Sequence, residues 1–132
     1  MGMVFDKVKD MLPVSGDDYD GEIITQIKAA ALDLTTSAEI VLPGVIAISR
    51  TWTEPETSVI TGEVTAPGYW TVNDNSTLKD ELIITAIGTW CNMRIGNPPN
   101  VEFLERSYRS LKGQLRMSRK YTRFGGGADG CG

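Results

Sequence analysis

The apolar residues of this chain change their spacing twice, and that change limits what it can fold into. Up to about residue 40 they recur at helical intervals. From 41 to 75 the pattern is that of short strands, and from 76 onward the helical interval returns. A chain of 132 residues in that order is expected to form a single domain, large enough for a core and too small for two comfortable ones.

The first helical segment is short. Met3, Val4, Lys7, Val8, Met11 and Leu12 fall on one face, and Pro13 stops it. The stretch "SGDDYDGEIITQIKAAALDLTTSAEI" predicts a second helix, with Asp17, Asp18, Asp20 and Glu22 at the end where carboxylates cap free N–H groups and meet the positive dipole end. Ile23, Ile24, Ile27, Ala30, Ala31 and Leu34 make its apolar stripe. A third helix is expected over "TLKDELIITAIGTWCNMRIG", capped by Ser76 or Thr77. Leu78, Leu82, Ile83, Ala86, Ile87, Trp90 and Met93 face inward, and Gly96 stands at the C-terminal end. After "GNPPN" a fourth helix begins, capped at Asn97 or Asn100, with Leu104, Tyr108, Leu111 and Leu115 on one side.

Between the second and third helices the chain is rich in Val, Ile, Thr and aromatic residues. "VIAISRTW", "TSVITGEVT" and "GYWTVN" are separated by Pro43-Gly44, Glu54-Pro55 and Ala66-Pro67-Gly68. Ile46, Ile48 and Trp52 alternate with Ser49 and Thr51. The expected fold is therefore mainly α: a small bundle of four helices with a β-hairpin or short three-stranded insert at 41–75. The domain is expected to span 1–124, followed by a flexible glycine-rich tail at 125–132. Trp52 and Trp70 are candidate contact residues of the insert, because aromatic side chains on a flap anchor protein contacts; packing of the flap onto the helices is the equal alternative.

Charge is divided along the chain. Residues 1–93 carry five Lys/Arg against fourteen Asp/Glu, a net −9, whereas residues 94–132 carry eight against three, a net +5. Most of the positive charge lies on or just after the fourth helix. At 100° per residue, Arg106, Arg109, Lys112, Arg116, Arg119, Lys120 and Arg123 fall within an arc of about 140° beside the apolar stripe. Such an array suits a solvated helix face, an acidic protein surface, or the phosphates of a nucleic acid. The acidic N-terminal part and the lack of aromatic residues among the basic ones weigh against nucleic acid.

Nothing in the residues points to catalysis, a metal or a cofactor. The chain has no histidine, which removes the commonest general base and most zinc sites. "DDYD" is explained by helix capping, and its resemblance to a calcium loop fails because the first ligand position is Gly16 and the closing glutamate position is Ile27. Gly125-x-Gly127-x-x-Gly130 follows no strand and opens no helix, so it is no dinucleotide fingerprint. Cys91 and Cys131 make no disulfide framework. There is no leader-like start and no apolar run of about 18 residues, so the expectation is a cytosolic product that spans no membrane; Asn75-Ser76-Thr77 then has no meaning as a glycosylation acceptor.

The order "VKDML", "SGDDYDGEIITQIKAAALDL", "LKDELIITAIGTWCNMRIGNPP" and "FLERSYRSLKGQLRMSRKYT" resembles the head–tail connector (head-completion or adaptor) proteins of long-tailed double-stranded DNA bacteriophages and prophages. The residues that carry it are Asp18, Asp20, Glu22 and Ile23; Ala30, Asp33 and Leu34; Leu82, Ile84, Ala86 and Ile87; and Tyr108, Leu111, Leu115, Ser118 and Tyr121. The strand-rich insert is longer, and the last helix more basic, than that pattern has. The resemblance implies a structural protein without enzymatic activity. It implies a ring of subunits, expected as a dodecamer, beneath the portal protein at one capsid vertex of the virion, made in the host cytoplasm. The ring would extend the channel through which double-stranded DNA passes without sequence-specific recognition, and would offer a platform to the next stopper or tail-completion protein. The basic stripe would then meet an acidic neighbour or portal surface, or face DNA in the channel, and the tail would add a strand to the portal. The alternative is a small helical nucleic-acid-binding regulator that uses the last helix.

Overall fold

The computed structural model describes residues 3–14, 16–95 and 98–118. Helix α3 (Glu81–Arg94) is the element around which the others pack, because its buried residues do not keep to one face. Ile83, Ile84, Ala86, Ile87, Gly88, Thr89 and Cys91 run most of the way round it. It is covered by α1 (Met3–Asp10), α2 (Asp20–Thr36) and α4 (Val101–Met117). Val4, Phe5 and Val8 come from α1, Ile23, Ile27, Ala30 and Leu34 from α2, and Tyr108 and Leu115 from α4. Ile23, Ile27, Ile83 and Ile87 have no exposed surface. Each such side chain removed from water contributes about 1.5–3 kcal/mol before the entropy cost of folding. Among the described residues no helix is long and apolar enough to cross a membrane.

Four strands lie between α2 and α3. β1 (Ile48–Thr53) pairs antiparallel with β4 (Tyr69–Asp74), from Ile48 opposite Asp74 to Thr53 opposite Tyr69. β2 (Glu56–Thr57) pairs antiparallel with β3 (Val64–Ala66) as a second, separate sheet. The expectation of a mainly α bundle with a hairpin or three-stranded insert is therefore corrected. The fold is α + β, with 49% of the described residues in helix and 16% in strand, and with two small two-stranded sheets inserted between the second and third helices.

Two physical reasons account for the difference. Pro55 on one leg and Pro67-Gly68 on the other interrupt the ladder where they fall, since proline has no N–H to donate, and they divide one long ribbon into two sheets. The stretch read as a middle strand, 57–65, is folded back on itself. Ser58 Oγ accepts the N–H groups of Ile60 and Thr61, the Ser58 N–H donates to Glu63 O at 2.8 Å, and Gly62 takes a left-handed φ of +78°. The β-branched Val59 and Ile60 that read as strand are thus at the tip of a turn.

The root of the ribbon is tied to the helices by side chains that the sequence assigns elsewhere. Ser76 and Thr77 do not cap α3; their hydroxyls accept the N–H groups of Ala47 and Val45 and prolong the pairing beyond β1 and β4. Asp80 caps α3 instead, accepting the Ile83 N–H. No side chain caps α2 at Tyr19 or α4 at Asn100. Asp20, expected as a cap, is buried and pairs with Lys9 of α1 at 2.7 Å. Met11, expected in the core, is 37% exposed and lies over Gly88, where no side chain obstructs it. The proposed C-terminal Gly96, the alternative cap Asn97 and the tail 125–132 lie outside the described residues.

Candidate functional site

Two surfaces collect the residues singled out by sequence: the ribbon and the last helix. On the ribbon, Trp52 and Trp70 are brought together. They stand directly opposite one another across β1 and β4, with ring centroids 5.3 Å apart and planes tilted by 56°. Neither is absorbed by the helical body, for they remain 42% and 49% exposed. The same face carries Ile48 and Val72 nearer the root, where Ile48 joins the core and Val72 packs against it. The alternation read from sequence therefore continues past the edge of the body, and the ribbon projects beyond it.

Arg50 ties the ribbon to the helical body. Its guanidinium lies 4.0 Å from the Trp70 ring centroid and against Gly21 in the first turn of α2, where an added Cβ would come within 2.6 Å of a guanidinium nitrogen. Asp74, at the root of β4, accepts the Phe5 N–H at 2.8 Å and so caps α1 from a distant part of the chain. Burial pushes the Asp74 carboxyl upward, but hydrogen bonds from Ser76 and from the Phe5 and Val4 N–H groups outweigh it and hold the group below its ordinary value. Beyond the root the ribbon is apolar and acidic on its outside. Val59 and Ile60 at the tip are 99% and 90% exposed, Val64 and Tyr69 are exposed, and residues 51–73 carry Glu54, Glu56 and Glu63 with no Lys or Arg.

Among the described residues the basic stripe is not a single exposed array. Lys112 is turned inward, donating to Asp33 Oδ2 and Ser37 Oγ of α2, both at 3.1 Å. At 100° per residue it stands close to the apolar side of α4, so its stem can lie along the α2 contact. Arg109 pairs with Glu105 one turn back, at 3.5 Å, in the exposed setting where such pairs contribute little. Arg106 and Arg116 are exposed. Arg119, Lys120 and Arg123 lie outside the described residues.

Beneath the stripe is a polar and aromatic seam that joins three helices. The Tyr108 hydroxyl donates to Asp33 Oδ2 at 2.6 Å, Trp90 meets the Tyr108 ring edge-on at 5.3 Å, and the Trp90 indole N–H donates to Gln26 at 3.0 Å. Arg94 lies over the Trp90 ring at 3.7 Å. Burial, and then the hydrogen bond and charge of Asp33, push the Tyr108 phenol far above its ordinary value. The Cys91 thiol is likewise pushed up by burial, to about 12, which keeps it protonated and unreactive. This seam is a packing device: the Tyr108 hydroxyl, the Trp90 indole N–H and the Asp33 carboxylate each meet a side-chain partner. A groove of about 480 Å³ beside it, between α3 and α4, is lined by Thr85, Thr89, Asn92, Phe103, Ser107 and neighbouring residues.

Comparison with known proteins gives no match: no protein-family model, no curated protein and no solved structure is similar enough to count as a relative of this chain.

Proposed function

We propose that this chain is a structural head–tail connector of a tailed bacteriophage or prophage, assembling as a ring against a portal protein and offering a docking platform to the next head-completion or tail protein. The observation that carries the reading is the ribbon. It projects from a well-packed helical body and exposes Val59, Ile60, Trp52 and Trp70, apolar side chains that nothing among the described residues covers. Exposed apolar clusters of this kind mark contact surfaces, and a chain whose charge is divided between an acidic part and a basic last helix suits repeated side-by-side packing. The order of helical motifs supports the same reading. Asp33 and Tyr108, which carry two of those motifs, meet in the hydrogen bond that holds α2 to α4.

Among the described residues the nucleic-acid alternative rests on Arg106, Arg109 and Arg116, which stay exposed on α4. It is weaker than the sequence alone implies, because Lys112 is committed to Asp33 and Arg109 leans on Glu105. Co-sedimentation with the portal ring of the same genome, at two salt concentrations and beside plain duplex DNA, separates the two. Stoichiometric portal binding that persists at moderate salt is the expected result. Absence of portal binding together with tight, steeply salt-dependent DNA binding would overturn the connector reading.

A further inference from the structure

We infer that the projecting ribbon of one copy docks on the outer face of α4 of a second copy, with the apolar tip Val59–Ile60 on the helix and the ribbon's glutamates against its exposed arginines. The inference rests on the connector reading and supplies the subunit contact that such a ring needs.

Both halves of the contact are present, and no described residue fills either. The ribbon offers two almost fully exposed β-branched side chains at its tip, flanked by Glu56 and Glu63 and free of basic residues from 51 to 73. The exposed side of α4, from the rim of the α3–α4 groove round to the face opposite its buried stripe, offers the complement. At 100° per residue Phe103, Arg106, Ser110, Gly113 and Met117 follow one another along a single strip. Phe103 and Met117 at its ends are 59% and 87% exposed. Gly113 is the notable member. A glycine inside a helix costs about 1 kcal/mol relative to alanine, and here an added Cβ would meet nothing within 4 Å. Among the described residues nothing requires the missing side chain, whereas close approach of another backbone would.

Charge selects between the two exposed apolar regions of the body. The other one, around Leu32, Leu42 and Val45, has only Lys28 among its lining residues to meet an acidic ribbon. The α4 strip has Arg106 within it and Arg109 and Arg116 beside it. The donor and acceptor surfaces are also distinct: the ribbon is anchored at the first turn of α2 through Arg50 and Gly21, and α4 is tied to its last turns through Asp33 and Ser37. Those positions are roughly 18 Å apart along a helix rising 1.5 Å per residue. Contact between two different patches is heterologous, the kind that does not stop at a dimer and forms a ring when its rotation closes.

The test uses full-length protein with Cys131→Ser, carrying either Ile60→Cys or Ser110→Cys. Mixing the two variants under mild oxidation is expected to give a disulfide-linked heterodimer that neither gives alone. Pairing Ile60→Cys with Leu32→Cys is expected to give none. Sedimentation supplies the second arm: Glu56→Lys with Glu63→Lys, and separately Arg106→Glu with Arg109→Glu, should each dissociate the oligomer, and mixing the two reversed proteins should restore mixed assemblies. Cross-linking to position 32 in place of 110, or an oligomer indifferent to all four reversals, overturns the contact while leaving the connector reading to portal co-sedimentation. A protein that stays monomeric and uncross-linked at every concentration overturns it too, and failure to bind portal would then remove the connector reading separately.

Discussion

The helical body and the ribbon are made from similar apolar residues and use them in opposite ways. In the body, Ile27, Ile83 and Ile87 are completely enclosed; on the ribbon, Val59 and Ile60 are almost completely bare. The body is held by several elements packing on α3, so removing any one side chain leaves a hole. The ribbon is held at its root by Arg50, Asp74 and the 45–47 to 75–77 pairing, so changes at its tip touch nothing. The difference shows which part of the molecule stabilises the fold and which part is left over for another molecule.

The contrast is broken most forcefully in the core. Ile87→Ala is expected to destabilise the protein by about 2–5 kcal/mol in denaturant unfolding, because the cavity is surrounded by packed helices. Val59→Ser with Ile60→Ser should stay within about 0.5 kcal/mol of the parent in the same experiment. A tip change that lowered stability as much as the core change would show that the ribbon folds onto the body in solution.

A second test addresses the seam between α2 and α4. Tyr108→Phe removes a hydrogen bond to a carboxylate and should cost about 1.5–3 kcal/mol. It should also alter the alkaline limb of the stability curve. Because the folded phenol titrates above its ordinary value of 10.0, its contribution is fully present below that pH and lost as the pH rises beyond it. The Phe variant should lack that part of the loss, and an unchanged alkaline slope would exclude Tyr108 as its source.

Smaller effects belong to the junction between the two regions. Asp74→Ala should cost about 1 kcal/mol by uncapping α1, visible as faster amide exchange in residues 4–8. The sign with pH is opposite to that of Tyr108. The folded Asp74 value lies below the ordinary 3.8, so its stabilisation is full above that pH and fades as the pH falls below it. Arg50→Ala should be milder than Asp74→Ala, about 0.5–1 kcal/mol, with faster exchange in β1 and β4 and little change in the helices. If exchange in α2 and α3 rose equally, the ribbon and body would be one cooperative unit.

The places where sequence reading succeeded and failed follow the same division. The apolar stripe of α4 was legible at Leu104, Tyr108 and Leu115, because helical spacing alone puts them on one side and the structure buries them. The insert was placed between the right helices, yet its strand number and the fold class were not. Val59 and Ile60 favour strand locally, while the Ser58 hydroxyl and the left-handed Gly62 turn the chain there. The pairing of Trp52 with Trp70 needed the register, which Pro55 and Pro67 set only when both legs are considered together. Lys112 was read with the other basic residues because nothing in its neighbourhood in sequence reveals Asp33, 79 positions away. Asp74 gave no sign that it caps α1, for the same reason: its partner is 69 residues distant.

By itself, then, the sequence determined the helical stripes, the position of the insert and the uneven charge, since each is a property of neighbouring residues and of a period of 3.6 or 2. Tertiary structure decided which charges are free, which carboxylates cap helices, and how far the ribbon extends beyond the body. Those outcomes depend on partners brought together from far apart in the chain, and the energy of a hydrogen bond or a buried methyl group is assigned only once such partners meet.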